Sequence, residues 1–504
     1  MFPTLTDRPR TELHPDLHPT EPRGWSALHF AGAKMNDRRR TRRVETIAEA
    51  MATRPGAPIP QLFNMAYDVQ AAYDLFDRPE ATPDAIQAGH RRLVRARLRS
   101  PGYYLLIEDT SFLSFSHRGL QVPGLGPIGG SEDGQQGFLL HSVFALAAPW
   151  PDRTAAARDR PPVEVLGLID QQYLVRKARP AARSKQAASR QRTERDRESQ
   201  RWLDSGARIG PAPRDGAVRW VRVADREADI YEYLVKCQEI GHGFVVRVMQ
   251  DRVVLDPETG HRGGLTRPWA EAAGATGGVA LEVRGRDGKG ARRARLLVSF
   301  GALRLQAPER PGHAAGTNPP IDCWFVRAWE PEAPEGVEPL EWLLYHDRSV
   351  EDLSGALGVL RDYALRPLIE EFHKGLKTGL GAERLQLETG ARLFAATAVM
   401  SVVALRLLHL RELGRSEPDA PAERSGLDRL ELRVLGAELR RSLVTVKDVL
   451  LAVGRLGGHM NRKADGMPGW LTLWRGMNRL RDLTRGARLM QEGSRGDGHP
   501  DGPP

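Results

Sequence analysis

The sequence predicts an α/β protein: a mixed-sheet core split by a β-rich insertion and flanked by helical domains at both ends. Three observations predict it. Apolar or β-rich runs (YYLLIED, FLLHSVFALAA, VEVLGLIDQQYLV, AVRWVRVAD) cluster between residues 101 and 249, with a helical segment before HGFVVRVM. Short alternating runs such as VALEVRG, ARLLVSFGALRL and CWFVRAWE, amid frequent Gly and Pro, fill residues 250–345. Past Tyr363 the pattern is nearly all helical.

The chain has 504 residues, too many for one ordinary core, so two to four domains are expected. Its formal net charge of +10 suits a polyanionic partner. Cys237 and Cys323 are the two cysteines, which argues against a disulfide framework and fits a reducing cytoplasm. The N-terminal residues do not read as a signal peptide. The longest apolar helix candidate, LFAATAVMSVVAL after Arg392, is short for a bilayer span and reads as a buried core helix. No membrane association is expected.

Residues 1–24 are polar and proline-rich and read as a disordered leader. Residues 25–100 read as a helical DNA-binding domain. Asp37 is placed as the N-cap of a helix with Val44, Ile47, Ala48 and Met51 on one face. Arg38, Arg39, Arg40, Arg42 and Arg43 crowd its first turns, where the helix dipole disfavours cations. A bound phosphate would relieve that conflict; a solvated basic face is the plainer alternative. Thr82-Pro83-Asp84 opens a later helix carrying Arg91, Arg92, Arg95 and Arg97. The core takes residues 101–249 and 346–390. Within it GLQVPGLGPIGG reads as a flexible loop, and RKARPAARSKQAASRQRTERDRESQRW as a mobile or helical basic arm. Residues 391–490 form a C-terminal helical domain and 491–504 a disordered tail. Pro367 suits a first helical position and restricts Arg366, so a helix starts there, with Tyr363 and Arg366 in a bend before it.

Three carboxylates stand out. Asp109 ends YYLLIED, Asp225 ends WVRVAD, and Glu370 sits on a late helix. Strand ends can bring distant residues to one point, and hard divalent cations take oxygen ligands. Two such ions can serve an in-line phosphodiester displacement. Each residue has a plainer reading: Asp109 as an Asx-turn residue, Asp225 as a helix N-cap, and Glu370 as half of an ordinary Glu-Lys surface pair, with Glu371 beside it so that the local sequence does not choose between the two. Glu370 and Lys377 are seven residues apart, two helical turns, and His373 and Lys374 share their side. That places cations for DNA phosphates beside a metal-binding carboxylate. His141 in FLLHSV reads as a packed strand residue.

The ordered set Y-x2-R-x3-E-x6-K, formed by Tyr363, Arg366, Glu370 and Lys377 after two strand-end aspartates, resembles the DDE transposases of bacterial cut-and-paste insertion sequences. DREADIYEYL after Asp225, Arg247 in GFVVRV, Trp342 in EWLLY, NDRRRTRR, GRLGGHMNRK and PGWLTLWRG extend the resemblance over residues 25–490. Its spacing singles out Glu370 over Glu371. The resemblance implies a ribonuclease-H-like core with Asp109, Asp225 and Glu370 as the catalytic, metal-binding triad. Mg²⁺ is the implied cofactor, with Mn²⁺ as substitute. Tyr363, Arg366 and Lys377 would contact phosphates near the cleaved end, with Arg247 close to the active-site DNA. Trp342 would stack on a base flipped from the duplex, although an apolar strand tryptophan is otherwise a core residue. Arg39, Arg40 and Arg43 would meet DNA. The implied reaction is nicking, hairpin formation and opening, and strand transfer. The implied partners are double-stranded DNA, as terminal inverted repeats and target, and a second copy of the chain joined through the C-terminal helices. The implied setting is the bacterial cytoplasm. Pro367 departs from the family, which usually has tryptophan there. Two alternatives stay open: a ribonuclease-H-like nuclease of another role, and an inactive DNA-binding relative acting as an inhibitor.

Overall fold

The computed structural model describes residues 4–5, 11–19, 21–115, 121–128, 134–150, 161–177, 198–283, 292–308, 319–416, 418–462 and 467–496. The chain divides into two compact units. The first comprises Met1–Pro9, Val94–Phe112 and Leu139–Glu370, the second Arg10–Leu93, Leu113–Phe138 and Glu371–Pro504.

Five strands of the first unit carry the candidate site: β1 Gly102–Ser114, β2 Gln136–Ala148, β3 Val163–Leu174, β4 Val218–Ala224 and β5 Gly243–Arg247. They lie in the order β3-β2-β1-β4-β5. β2 and β3 are antiparallel, whereas β1–β4 and β4–β5 are parallel. The parallel pairs need crossovers. A helix over residues 198–209 precedes β4, and Tyr231–Glu239 joins β4 to β5. Tyr103 to Ile107 of β1 are all buried, the near-continuous apolar run of a strand covered on both faces. Of the expected basic arm, residues 178–197 lie outside the described residues. Its end is helical, and Trp202 is buried in a cluster with Tyr231, Tyr233, Phe244 and Val246.

The insertion is β-rich as expected. Its main strands are β6 Gly277–Val283, β7 Arg292–Leu305, β8 Ile321–Trp329 and β9 Glu341–His346. They continue the core sheet rather than forming one of their own. β9 runs antiparallel to β5, with Leu344 opposite Arg247 and His346 opposite Val245. Leu305, Ile321, Phe325 and Tyr345 join the apolar cluster around Trp202. Cys237 and Cys323 are both buried and free.

Asp362, in the helix Leu353–Ala364, is buried and accepts a short hydrogen bond from the Tyr103 hydroxyl. Burial pushes its carboxyl up to about 7 from the ordinary 3.8 of an aspartate. Between those values the folded chain binds a proton that the unfolded chain has released, so stability falls as pH rises. Asp362→Asn removes that slope while keeping an acceptor for Tyr103. Urea midpoints should show the variant gaining on wild type by a few kcal/mol between about pH 4 and pH 7, at ~1.4 kcal/mol per unit. Parallel pH curves for the two proteins would show that Asp362 is ionised in the fold.

The second unit is mostly helical. Asp37 caps the helix Arg38–Thr53, and Val44, Ile47, Ala48 and Met51 are buried on its inner face. Thr82 accepts from Ala85 N–H, with Pro83 in the first helical position. The helix Gly390–Ser416 buries Leu393, Val399, Val402 and Val403. Among the described residues no helix is long and apolar enough to cross a membrane. The helices Arg429–Leu439, Val446–Leu456 and Trp470–Gly496 share an apolar cluster including Leu435, Val449, Val453 and Leu480. Within the expected leader, Thr11–Leu13 form a strand, and Thr11, His14 and His18 are buried. The expected tail is helical to Gly496, and residues 497–504 lie outside the described residues. Of the Gly-rich loop, residues 121–128 are described; 119, 120, 129 and 130 are not.

Candidate active site

Asp109 and Asp225 stand at one level: Asp225 directly follows the last residue of β4, whereas Asp109, expected at a strand end, lies inside β1, which runs on to Ser114. In the parallel pair β1–β4, Leu105 lies opposite Val221 and Ile107 opposite Val223. Each aspartate comes two residues after that last pair, so the two stand side by side on chain segments that run roughly 4.8 Å apart where they pair. Each divides its oxygens. Asp109 Oδ1 accepts from Thr110 N–H at 2.9 Å, and Asp225 Oδ1 from Glu227 N–H at 2.9 Å. The Oδ2 atoms lie 3.2 Å and 3.1 Å from Arg366 Nη2. Arg366 Nη1 makes a short ion pair with Glu370 Oε1. The N-cap reading of Asp225 is therefore true, whereas Asp109 accepts from the very next residue, which is not the Asx-turn pattern; both are local backbone contacts. They do not compete with convergence, because the backbone N–H fixes one oxygen and leaves the other aimed at the shared point.

The break at Arg366 is where the sequence places it. Tyr363 lies in the last turn of Leu353–Ala364, residues 365–366 form a turn, and the helix bearing Glu370 begins at Pro367. The side chains are 14% exposed for Asp109, 25% for Asp225 and 46% for Glu370, so the cluster opens to solvent on the Glu370 side. Burial pushes the Asp109 carboxyl up to about 7; Arg366 opposes this, and the charges of Asp225 and Glu370 add to it. Among the described residues no three His, Cys, Asp or Glu side chains close into a ready metal-ligand group. The Arg366 guanidinium stands between the carboxylates instead. The donors are all carboxylate oxygens gathered around a positive charge, the chemistry a hard divalent ion requires.

Tyr363, Trp342 and Arg247 form a second group. The Tyr363 and Trp342 rings meet edge-on at 5.4 Å and 70°. Arg247 hydrogen-bonds to Tyr363 and donates from Nη2 to Glu341 O at 2.8 Å. Trp342 is half-buried and lies outside the apolar cluster that contains its neighbours Leu343 and Tyr345.

The remaining expected DNA contacts are mixed. Lys374 is exposed, but His373 is buried against Phe372. The α-helix ends at Lys374, and Gly375–Gly379 form a π turn. The two-turn, one-face relation between Glu370 and Lys377 assumed an unbroken α-helix, so that argument fails here. Lys377 pairs with Glu383 at 3.3 Å, and Glu383 also accepts from Ser114 N–H at 2.9 Å. At the other end of the chain, Arg39 is exposed. Arg40 pairs with Glu80 at 2.8 Å, and Arg43 with Asp68 at 2.7 Å. The protein's own carboxylates thus offset part of the charge crowding read in that helix.

Sequence reasoning missed the network behind Asp109. Adjacent strand residues face opposite sides, so Glu108 turns inward where Asp109 turns to the site. Arg222 Nε donates to Glu108 Oε1 at 2.9 Å, and Nη2 makes a short pair with Oε2. Tyr233 donates a short bond to Oε1, and Ser205 donates to Oε2 at 3.0 Å. His141 Nε2 lies 3.4 Å from Oε2, while its Nδ1 is 3.0 Å from Thr110 Oγ1. His141 is indeed packed within the sheet. The available signal was an arginine in the otherwise apolar WVRVA run.

Residues 22–81 match a family model for transposase DNA-binding domains. The match takes in the helices Pro22–Phe30, Arg38–Thr53, Ile59–Leu62 and Ala66–Phe76 and ends before Asp109. It supports a transposase role, with DNA as partner.

Proposed function

We propose that the chain is a DDE transposase that moves a DNA element by cutting and pasting, with Asp109, Asp225 and Glu370 as its catalytic triad. The observation that carries this reading is the convergence of the three carboxylates on one guanidinium, two of them side by side where the pairing of the adjacent parallel strands β1 and β4 ends. The strand order β3-β2-β1-β4-β5 fits a ribonuclease-H-like core.

The triad would hold divalent ions, Mg²⁺ or Mn²⁺ in its place. Bound there, such ions supply Lewis-acid activation of the attacking oxygen and stabilisation of the leaving one. Arg366 would turn from the carboxylates to a DNA phosphate, which its planar fork suits. Lys374 and Lys377 would add phosphate contacts. Trp342, half-exposed and braced edge-on by Tyr363, offers a face for an extruded base. Nicking, hairpin formation, hairpin opening and strand transfer are all in-line displacements at phosphorus, so one triad serves them all. A homodimer joined through the C-terminal helices would bring two element ends together in the bacterial cytoplasm.

The test is cleavage of a duplex ending in the element's own inverted repeat. The full chain should give nicks and hairpins with Mg²⁺ or Mn²⁺ and none with EDTA. Binding without cleavage would favour an inhibitory, inactive relative. Cleavage indifferent to the terminal sequence would favour a nuclease of another role.

A further inference from the structure

We propose that Arg201 is a positioning residue that rivets the chain after Asp109 to the chain after Asp225 and so sets the metal affinity of the site. The inference rests on the triad reading above. Arg201 sits near the start of the helix over residues 198–209 and touches neither aspartate. Its Nε donates to Thr110 Oγ1 at 2.8 Å, and Nη2 pairs with Glu227 Oε2 at 2.7 Å. Nη1 donates to Glu198 O at 2.5 Å. Its side chain is only 10% exposed and lies 5.6 Å from the Trp202 ring centroid.

The two outer contacts are specific to the site. Thr110 directly follows Asp109, and its N–H holds Asp109 Oδ1. Glu227 follows Asp225 by two residues, and its N–H holds Asp225 Oδ1. One planar guanidinium therefore grips the two residues whose backbone N–H groups set the aspartate rotamers. Thr110 Oγ1 is also held by His141, and His141 by Glu108, so the rivet is anchored in the buried network. β1 and β4 end their described pairing at Ile107 and Val223. Beyond that ladder, Arg201 is a side-chain bridge between Thr110 of β1 and Glu227 after β4. Residues that orient metal ligands typically cost 10–100-fold in metal affinity or activity when lost.

Charge alone must be separated from geometry. Arg201→Met would free the Glu227 carboxylate and draw cations, whereas Glu227→Gln would leave an unpaired cation. The double variant Arg201→Met/Glu227→Gln keeps the net charge and removes only the bridge. Mn²⁺ binding to the DNA-free full chain, followed by electron paramagnetic resonance of free Mn²⁺, is the direct readout. Circular dichroism and urea midpoints report folding. The double variant should stay folded, bind Mn²⁺ about 10–100-fold more weakly, and need correspondingly more Mg²⁺ for cleavage, with duplex affinity unchanged. If it does not fold, Arg201→Lys decides. Lysine keeps the charge opposite Glu227, but one nitrogen cannot span both partners, so Mn²⁺ affinity should still fall. A folded variant with wild-type Mn²⁺ affinity overturns the inference and leaves the transposase reading intact. Wild-type protein that neither binds Mn²⁺ nor cleaves its repeat removes both.

Discussion

Glu370→Ala should lose nicking and hairpin formation by at least on the order of 10²–10³-fold, the usual cost of removing one group that stabilises transition-state charge. It should still bind the inverted repeat. The loss follows from position: Glu370 is the one carboxylate of the cluster that comes from a helix, and it meets the two aspartates at Arg366. Retained binding follows from exposure. Its side chain is 46% exposed, and its ion pair with Arg366 is the kind that adds little to stability. The control is Glu371→Ala, the neighbouring carboxylate that the Y-x2-R-x3-E-x6-K spacing does not select. End-labelled duplex on a denaturing gel reads cleavage, and a mobility shift reads binding. If Glu371→Ala is the dead variant, the Y-x2-R-x3-E-x6-K spacing has selected the wrong carboxylate. If neither variant loses cleavage, the active site lies elsewhere.

What the sequence made legible was local. A strand run ending before Asp225, a proline that starts a helix, an aspartate three residues before Arg40, and Thr82-Pro83 all act within a turn or two, and each lies where it was expected, whereas Asp109 falls inside β1 rather than at its end. The Thr445–Asp448 capping box is local in the same way and could have marked the break before the helix Val446–Leu456. What stayed hidden depends on residues far apart in the chain. Glu108 meets Arg222 across 114 positions, and Arg40 meets Glu80 across 40. The insertion was read as separate because nothing local shows that β9 pairs with β5 about a hundred residues earlier. Periodicity misplaced Lys377 because it cannot report a π turn. The two flanking glycines, Gly375 and Gly379, were the only hint. His373 is polar by type, yet its position on the helix turns it inward beside Phe372.

Arg222→Met should cost the fold about 3–5 kcal/mol, the range for breaking a buried ion pair by removing one partner. Both side chains are fully buried. Burial alone would raise the Glu108 carboxyl, yet Arg222, with His141, holds it down at about 2. Without Arg222, that carboxylate keeps Tyr233, Ser205 and His141 but loses its only strong counter-charge in the network. The cost does not mean that the pair itself stabilises the chain by that amount. Two apolar residues of similar volume can do as well as a buried pair, so Arg222→Met/Glu108→Leu should recover a large part of the loss. Urea denaturation of wild type, single and double variants closes the cycle. Arg222→Met within about 1 kcal/mol of wild type would mean that water or the neighbouring hydroxyls already satisfy Glu108. The double variant has a second use. Glu108 and Asp109 are consecutive on β1, so repacking behind the sheet shifts the stretch of β1 that aims Asp109. A chain that regains stability without regaining cleavage would show that the buried network sets the active-site geometry as well as the stability of the core.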